Sequence, residues 1–146
     1  MMLSTREIIK KLNLGLIEDL GFESALIELF ENWKRRFNGV KFEYSIDEKA
    51  IKKITKNKTA HLYRIFQEAL TNIAKHSSPQ KIDISIKYID NSNRTRILIS
   101  NDGIGSESSN RDGLGLIGIA ERVDQIQGTV EISKKKLFKI IINLSN

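Results

Sequence analysis

Residues 62–101 read LYRIFQEALTNIAKHSSPQKIDISIKYIDNSNRTRILISN, and within this stretch the spacing of apolar side chains changes once. Leu62, Ile65, Phe66, Ala69, Leu70 and Ile73 recur at the 3.6-residue period of a helix with one buried stripe. The spacing predicts a helix over residues 61–76. Ser77-Ser78-Pro79 ends it, because the residue before a proline is steered out of the helical region. From Ile82 the period drops to two. Ile82, Ile84, Ile86 and Tyr88 alternate with polar residues, Asn91-Ser92-Asn93 turns the chain, and Thr95 to Ser100 forms a second strand.

The flanks extend the pattern. Residues 4–37 read as helical, with Gly15 and Gly21 as interruptions and Leu26, Leu29, Phe30, Trp33 and Phe37 as an apolar stripe; Asn38-Gly39 is the stop. Val40, Phe42, Tyr44 and Ile46 alternate as a half-buried strand, after which Asp47 begins a polar helical connection. Leu116, Ile119, Ala120, Val123 and Ile126 predict a further amphipathic helix with Gly128 placed to cap its C-terminus. Thr129–Ser133 and Leu137–Leu144 read as two closing strands joined by a Lys-rich turn. The expected fold is α+β: a two-layer sandwich of a mixed, mostly antiparallel sheet with helices on one face.

Composition narrows the function. The 146 residues carry 24 Lys plus Arg, 18 Asp plus Glu, one Pro and no Cys, which suits one domain. At this length folding buries roughly 68–70% of the unfolded surface, so a packed core needs no disulfide or structural metal. No apolar run is long enough to cross a bilayer, and the Ser, Thr, Arg and Glu after Met1-Met2-Leu3 do not make a signal peptide. Lys52, Lys53, Lys56, Lys58 and Lys134–Lys136 are scattered and lack interleaved stacking aromatics, so they read as solvated surface and nucleic acid is not an expected partner. With His61 and His76 the only histidines, neither a Cys nucleophile nor a multi-His metal site can be built. Cytoplasm is the expected compartment.

Three clusters can carry chemistry. Glu68, Asn72, Lys75 and His76 are spaced four, three and one apart and share an arc of the helix beside its apolar stripe. An Asn amide oxygen is a hard ligand for Mg²⁺, a Glu is a base or water-orienting group, and a Lys is a counter-charge for phosphate. Alone, such residues are ordinary helix surface. Asn101-Asp102-Gly103-Ile104-Gly105 follows an apolar strand, and its glycines permit close backbone approach to a ligand or simply a tight turn. Gly113-Leu114-Gly115-Leu116 stands at the expected start of a helix, where free N–H groups can receive phosphate. Between the glycine clusters, residues 106–112 are small and polar, as in a lid. Gly118 within the helix costs about 1 kcal/mol relative to Ala and asks for a close-approach reason. There is no GxxxxGK[ST], and the GxG turns are not each embedded in a βαβ unit, so neither a P-loop nor a Rossmann site is present. The order of these features reads as one nucleotide pocket.

The wording of residues 67–77 (QEALTNIAKHS), 101–105 (NDGIG) and 113–123 (GLGLIGIAERV) resembles the catalytic ATP-binding domain of bacterial sensor histidine kinases, of the GHKL superfamily and of the subfamily paired with LuxR-type response regulators. The resemblance covers residues 62–133. It implies that Asn72 holds Mg²⁺, that Glu68 is the base or polarising acid near the γ-phosphate, and that Lys75 and His76 lie near the phosphates. It further implies that Gly103, Gly105, Gly113, Leu114, Gly115 and Leu116 line the pocket and hinge the lid. By resemblance, residues 1–20 are a remnant of the dimerisation helix or a linker, and residues 21–146 are the ATP-binding domain. Asn101 stands where the family usually has an Asp that accepts from the adenine amino group; a neutral amide oxygen can still accept. Lys134-Lys135-Lys136 replaces a turn that often contains glycine.

The implied cofactors are ATP and Mg²⁺, and the implied reaction transfers the γ-phosphoryl of ATP to a histidine on a dimerisation domain, with a response regulator as indirect partner. No phosphoacceptor context surrounds His61, so the chain is expected to be a monomeric catalytic fragment of a homodimeric kinase, with membrane attachment of the parent open. An anti-sigma-factor-type serine kinase and a non-catalytic module with a decayed pocket are the alternatives.

Overall fold

The computed structural model describes residues 15, 17–18, 20–103, 109–134 and 137–146, with backbone alone for 109–115. Gly15 lies in helical backbone, contrary to the interruption expected there, whereas Gly21 does break the chain, with φ of 82°. Helix α1 (Phe22–Arg36) follows and buries Phe22, Ala25, Leu26, Leu29 and Phe30. Gly39, at φ 79°, turns the chain into β1 (Lys41–Ile46). Asp47 then caps the short α2 (Glu48–Lys53), its carboxylate accepting from Lys49 N at 3.0 Å.

Helix α3 (Lys56–His76) begins five residues before the expected 61, because its first turn is polar and carries no stripe to read. Eight of its residues are buried, Leu62, Phe66 and Leu70 among them. β2 (Lys81–Ile89) and β3 (Arg94–Asn101) form the expected hairpin through a 3₁₀ turn at Asp90–Ser92, closed by Asn93 in the left-handed region. Helix α4 (Ser109–Gln125) is followed by β4 (Gly128–Ser133) and β5 (Phe138–Ser145). Gln127, at φ 59°, takes the left-handed position expected of Gly128. Gly128 is instead the first strand residue, where a Cβ would lie 2.8 Å from Leu144 Cδ2. No helix among the described residues is long and apolar enough to cross a membrane.

The sheet order is β1-β2-β3-β5-β4, with β1 and β2 parallel and the other pairs antiparallel. The parallel pair requires a crossover, which α2 and α3 supply. Register aligns one residue from each strand into rows across the same face: Tyr44, Ile84, Ile99, Ile140 and Ile132 in one, Ile46, Ile86, Ile97, Ile142 and Val130 in the next. That face holds the core together with α1, α3 and α4. The opposite face exposes Lys81, Lys87, Arg94 and Arg96, so helices cover one side only, as expected. At the β1 end, Phe30 meets Tyr44 and Phe66 with ring centroids 5.1 and 5.2 Å apart.

Candidate nucleotide site

Helix α3 is the spine of the site. Its inner stripe is locked into the core, which fixes the outward direction of Glu68, Asn72 and Lys75. These three line an open groove of about 840 Å³. α1 supplies one wall through Leu29, Asn32, Trp33 and Arg36, and Gly118 of α4 contributes to the other. His76 ends α3 and is not among the groove residues. A smaller pocket of about 430 Å³ shares Trp33 and Arg36 with the groove and extends to Ser77 and Pro79.

Glu68 is held on both sides. Arg122 Nε donates to its Oε1 at 3.1 Å, and a Cβ on Gly118 would lie 3.2 Å from its Oε2. The glycine inside α4 therefore has the close-approach reason its position demanded: a carboxylate from α3 occupies the space a side chain would need. Gly118 and Arg122 are four residues apart, one helical turn, so both face α3.

The strand-end cluster is built differently. Asn101 is the last residue of β3, lies in the core-facing row opposite Ile82 and Phe138, and is 3% exposed. Ser77, the residue that caps α3, places its Oγ as donor between two acceptors, Asn101 Oδ1 at 2.9 Å and the Gly103 carbonyl oxygen. A Cβ at Gly103 would overlap Ser77 Oγ and sit 2.7 Å from Pro79 N. Asp102, pointing the other way, accepts from the backbone N–H of Gln80 at 2.8 Å and of Lys81 at 3.0 Å. Those two donors favour its charged form and hold its pKa below the ordinary carboxylate value. Asp102 thus ties the end of β3 to the start of β2.

The other sequence-derived residues distribute as follows. Gly105 and residues 106–108 lie outside the described residues. Residues 109–112, expected in the loop, are helical. Because α4 begins at Ser109, Gly113, Leu114 and Gly115 fall in its second turn rather than at its start. The free N–H groups of a helix belong to its first turn, here around 109–112. Leu116 is half-buried against the core. The structure thus gathers Glu68, Asn72 and Lys75 at one groove, with Asn101 and Gly103 packed under the C-terminal end of the same helix. The span from Glu68 to Ser77 is about 14 Å at 1.5 Å per residue.

The sequence alone assigns no contact to Ser77, which stands at the helix stop, or to Arg122, which lies within the 113–123 wording. The signal for Arg122 was its one-turn spacing from an otherwise unexplained helical glycine.

Mg²⁺ fits the donors present. Among the described residues no group of three His, Cys, Asp or Glu could hold a metal. Mg²⁺ does not need one: it is commonly held by one or two protein oxygens plus substrate phosphates and water. Asn72, with a hard amide oxygen on the groove, suits that pattern.

Residues 57–145 match the family described as histidine kinase-, DNA gyrase B-, and HSP90-like ATPase. The chain is 32% identical over 152 aligned residues to the sensor histidine kinase ComP of Bacillus subtilis (strain 168), covering 96% of this chain and 18% of that protein. It is 29% identical over 133 residues to the signal transduction histidine-protein kinase/phosphatase UhpB of Salmonella typhimurium (strain LT2), covering 89% of this chain and 26% of that one. Both relatives are therefore much longer. In fold, the chain resembles the histidine kinase domain of the Erythrobacter litoralis EL346 blue-light activated histidine kinase, with a TM-score of 0.74, 12% identity, and coverage of 98% of this chain and 75% of that one.

Proposed function

The chain belongs to the histidine kinase-, DNA gyrase B-, and HSP90-like ATPase family, and on that premise we propose that it is the ATP-binding catalytic domain of a sensor histidine kinase. It would transfer the γ-phosphoryl of ATP to a histidine on a dimerisation domain, from which a response regulator is phosphorylated in turn. The observation that carries this reading is the convergence of Glu68, Asn72 and Lys75 on one groove beside α4.

Phosphoryl transfer passes through a loose transition state, so the protein's task is positioning and charge neutralisation. Mg²⁺ bound with the nucleotide would neutralise phosphate charge, with Asn72 as its protein ligand. Lys75, with His76 next to it, stands toward the phosphates as counter-charge. Glu68 has Oε1 engaged by Arg122, which leaves Oε2 as the atom that takes the N–H proton of the acceptor imidazole. Asn101 accepts from the adenine amino group at the far end of α3. Gly103, Gly105 and the 113–116 segment complete the pocket and its lid.

Calorimetry with a non-hydrolysable ATP analogue tests the binding half. Binding is expected to depend on Mg²⁺, and Asn72→Ala is expected to remove that dependence. Labelled ATP with a separately supplied dimerisation domain tests the transfer half, an acid-labile phosphohistidine being the expected product. Phosphoserine on a protein substrate instead would favour the serine-kinase reading, and no nucleotide binding at all would sink both.

A further inference from the structure

Ser77 Oγ lies against two acceptors at once, the Gly103 carbonyl oxygen and Asn101 Oδ1 2.9 Å away. A serine hydroxyl has one proton to give. The Gly103 oxygen has only lone pairs, so it takes that proton. As placed, the amide oxygen of Asn101 also faces Ser77, so two acceptors share one donor. The contact is fully satisfied when the amide is turned so that Nδ2–H donates to Ser77 Oγ, and it is the surrounding hydrogen bonds that decide between an amide's two orientations. Asn101 is 3% exposed, and among the described residues Ser77 is the side-chain partner of its amide. Satisfaction matters most at such a buried position.

Resting on the nucleotide site proposed above, we infer that Ser77 is a specificity-determining residue for the purine. By holding the Asn101 amide through its nitrogen, it leaves the oxygen to face the base. A 6-amino purine donates to that oxygen; a 6-oxo purine would set oxygen against oxygen. An Asp at 101 would present acceptors in either orientation and need no such control. An Asn can present either a donor or an acceptor, so its selectivity depends on what grips its other end.

The test compares the affinities of the chain for ATP and inosine triphosphate, which carries a 6-oxo group and no 2-amino group. Wild type is expected to prefer ATP. Ser77→Ala frees the amide to rotate, and the ATP preference is expected to fall about tenfold, the scale of one buried hydrogen bond. Ser77→Thr, which keeps the hydroxyl, should hold the wild-type ratio. Adding Asn101→Asp to Ser77→Ala should restore the preference, because a carboxylate only accepts. A merely structural Ser77 would weaken both nucleotides alike; an unchanged ratio in Ser77→Ala, or no recovery in the double variant, overturns the inference. If wild type binds neither nucleotide, the proposed function itself fails and this inference falls with it.

Discussion

Gly103 and Gly118 are both glycines because another group occupies the space of their side chain, yet the two regions are built to different tolerances. At Gly103 the neighbours include backbone, Pro79 N and Ser78 C, 2.7 and 2.8 Å from where a Cβ would be. Neither can move without dragging the end of α3 and the start of β2. At Gly118 the neighbour is the tip of a flexible Glu68 side chain at 3.2 Å. The strand end is therefore rigid by construction, whereas the α3–α4 contact is adjustable. The proposed site, which would fix a base at one end and move a proton at the other, would have a use for both.

That contrast can be broken by substitution. The largest effect is expected from Gly103→Ala, where overpacking against backbone should destabilise the fold by about 3 kcal/mol, read from chemical unfolding. Gly118→Ala should behave oppositely. Replacing a mid-helix glycine contributes up to about 1 kcal/mol of stability, offset in part by the displaced carboxylate. Stability should stay level or rise while phosphoryl transfer falls; equal losses in both would show the two glycines to be alike after all.

Smaller effects sharpen the comparison. The Glu68–Arg122 pair is part-exposed, with side chains 33% and 26% accessible, so Arg122→Ala should cost only about 0.5 kcal/mol in unfolding experiments. Its larger consequence should be a lower transfer rate at unchanged nucleotide affinity, since Glu68 loses its orientation. The smallest effect belongs to Asp102→Asn. The pKa of Asp102 is lowered in the fold, so its contribution is present above the unfolded carboxylate pKa and lost as pH falls through the folded one. The difference in Tm between wild type and this variant should therefore be greatest near neutral pH and close in acid.

Much of this was legible in the residues themselves. The stripe from Leu62 to Ile73 and the alternation from Ile82 to Ser100 placed the helix and hairpin that frame the site, because burial on one face forces those periods. The shared arc of Glu68, Asn72 and Lys75 follows from the same helical geometry. Less legible were the helix starts. The polar first turn of α3 and the Ser109–Asp112 turn of α4 carry no apolar stripe, so 109–112 read as loop. The roles of Ser77 and Arg122 were hidden because each depends on a partner more than twenty residues away in sequence.

By itself the order of amino acids determined the fold class, the face each element buries, and the polar arc of α3, since all three are consequences of local periodicity. Only the folded arrangement decided which groups meet: that Ser77 joins Asn101 to Gly103, that Arg122 and the bare Gly118 receive Glu68, and that Asp102 clamps β2 rather than facing the groove. The reason is physical. Periodicity reports which way a side chain points from its own element, whereas a hydrogen bond between elements depends on how those elements pack.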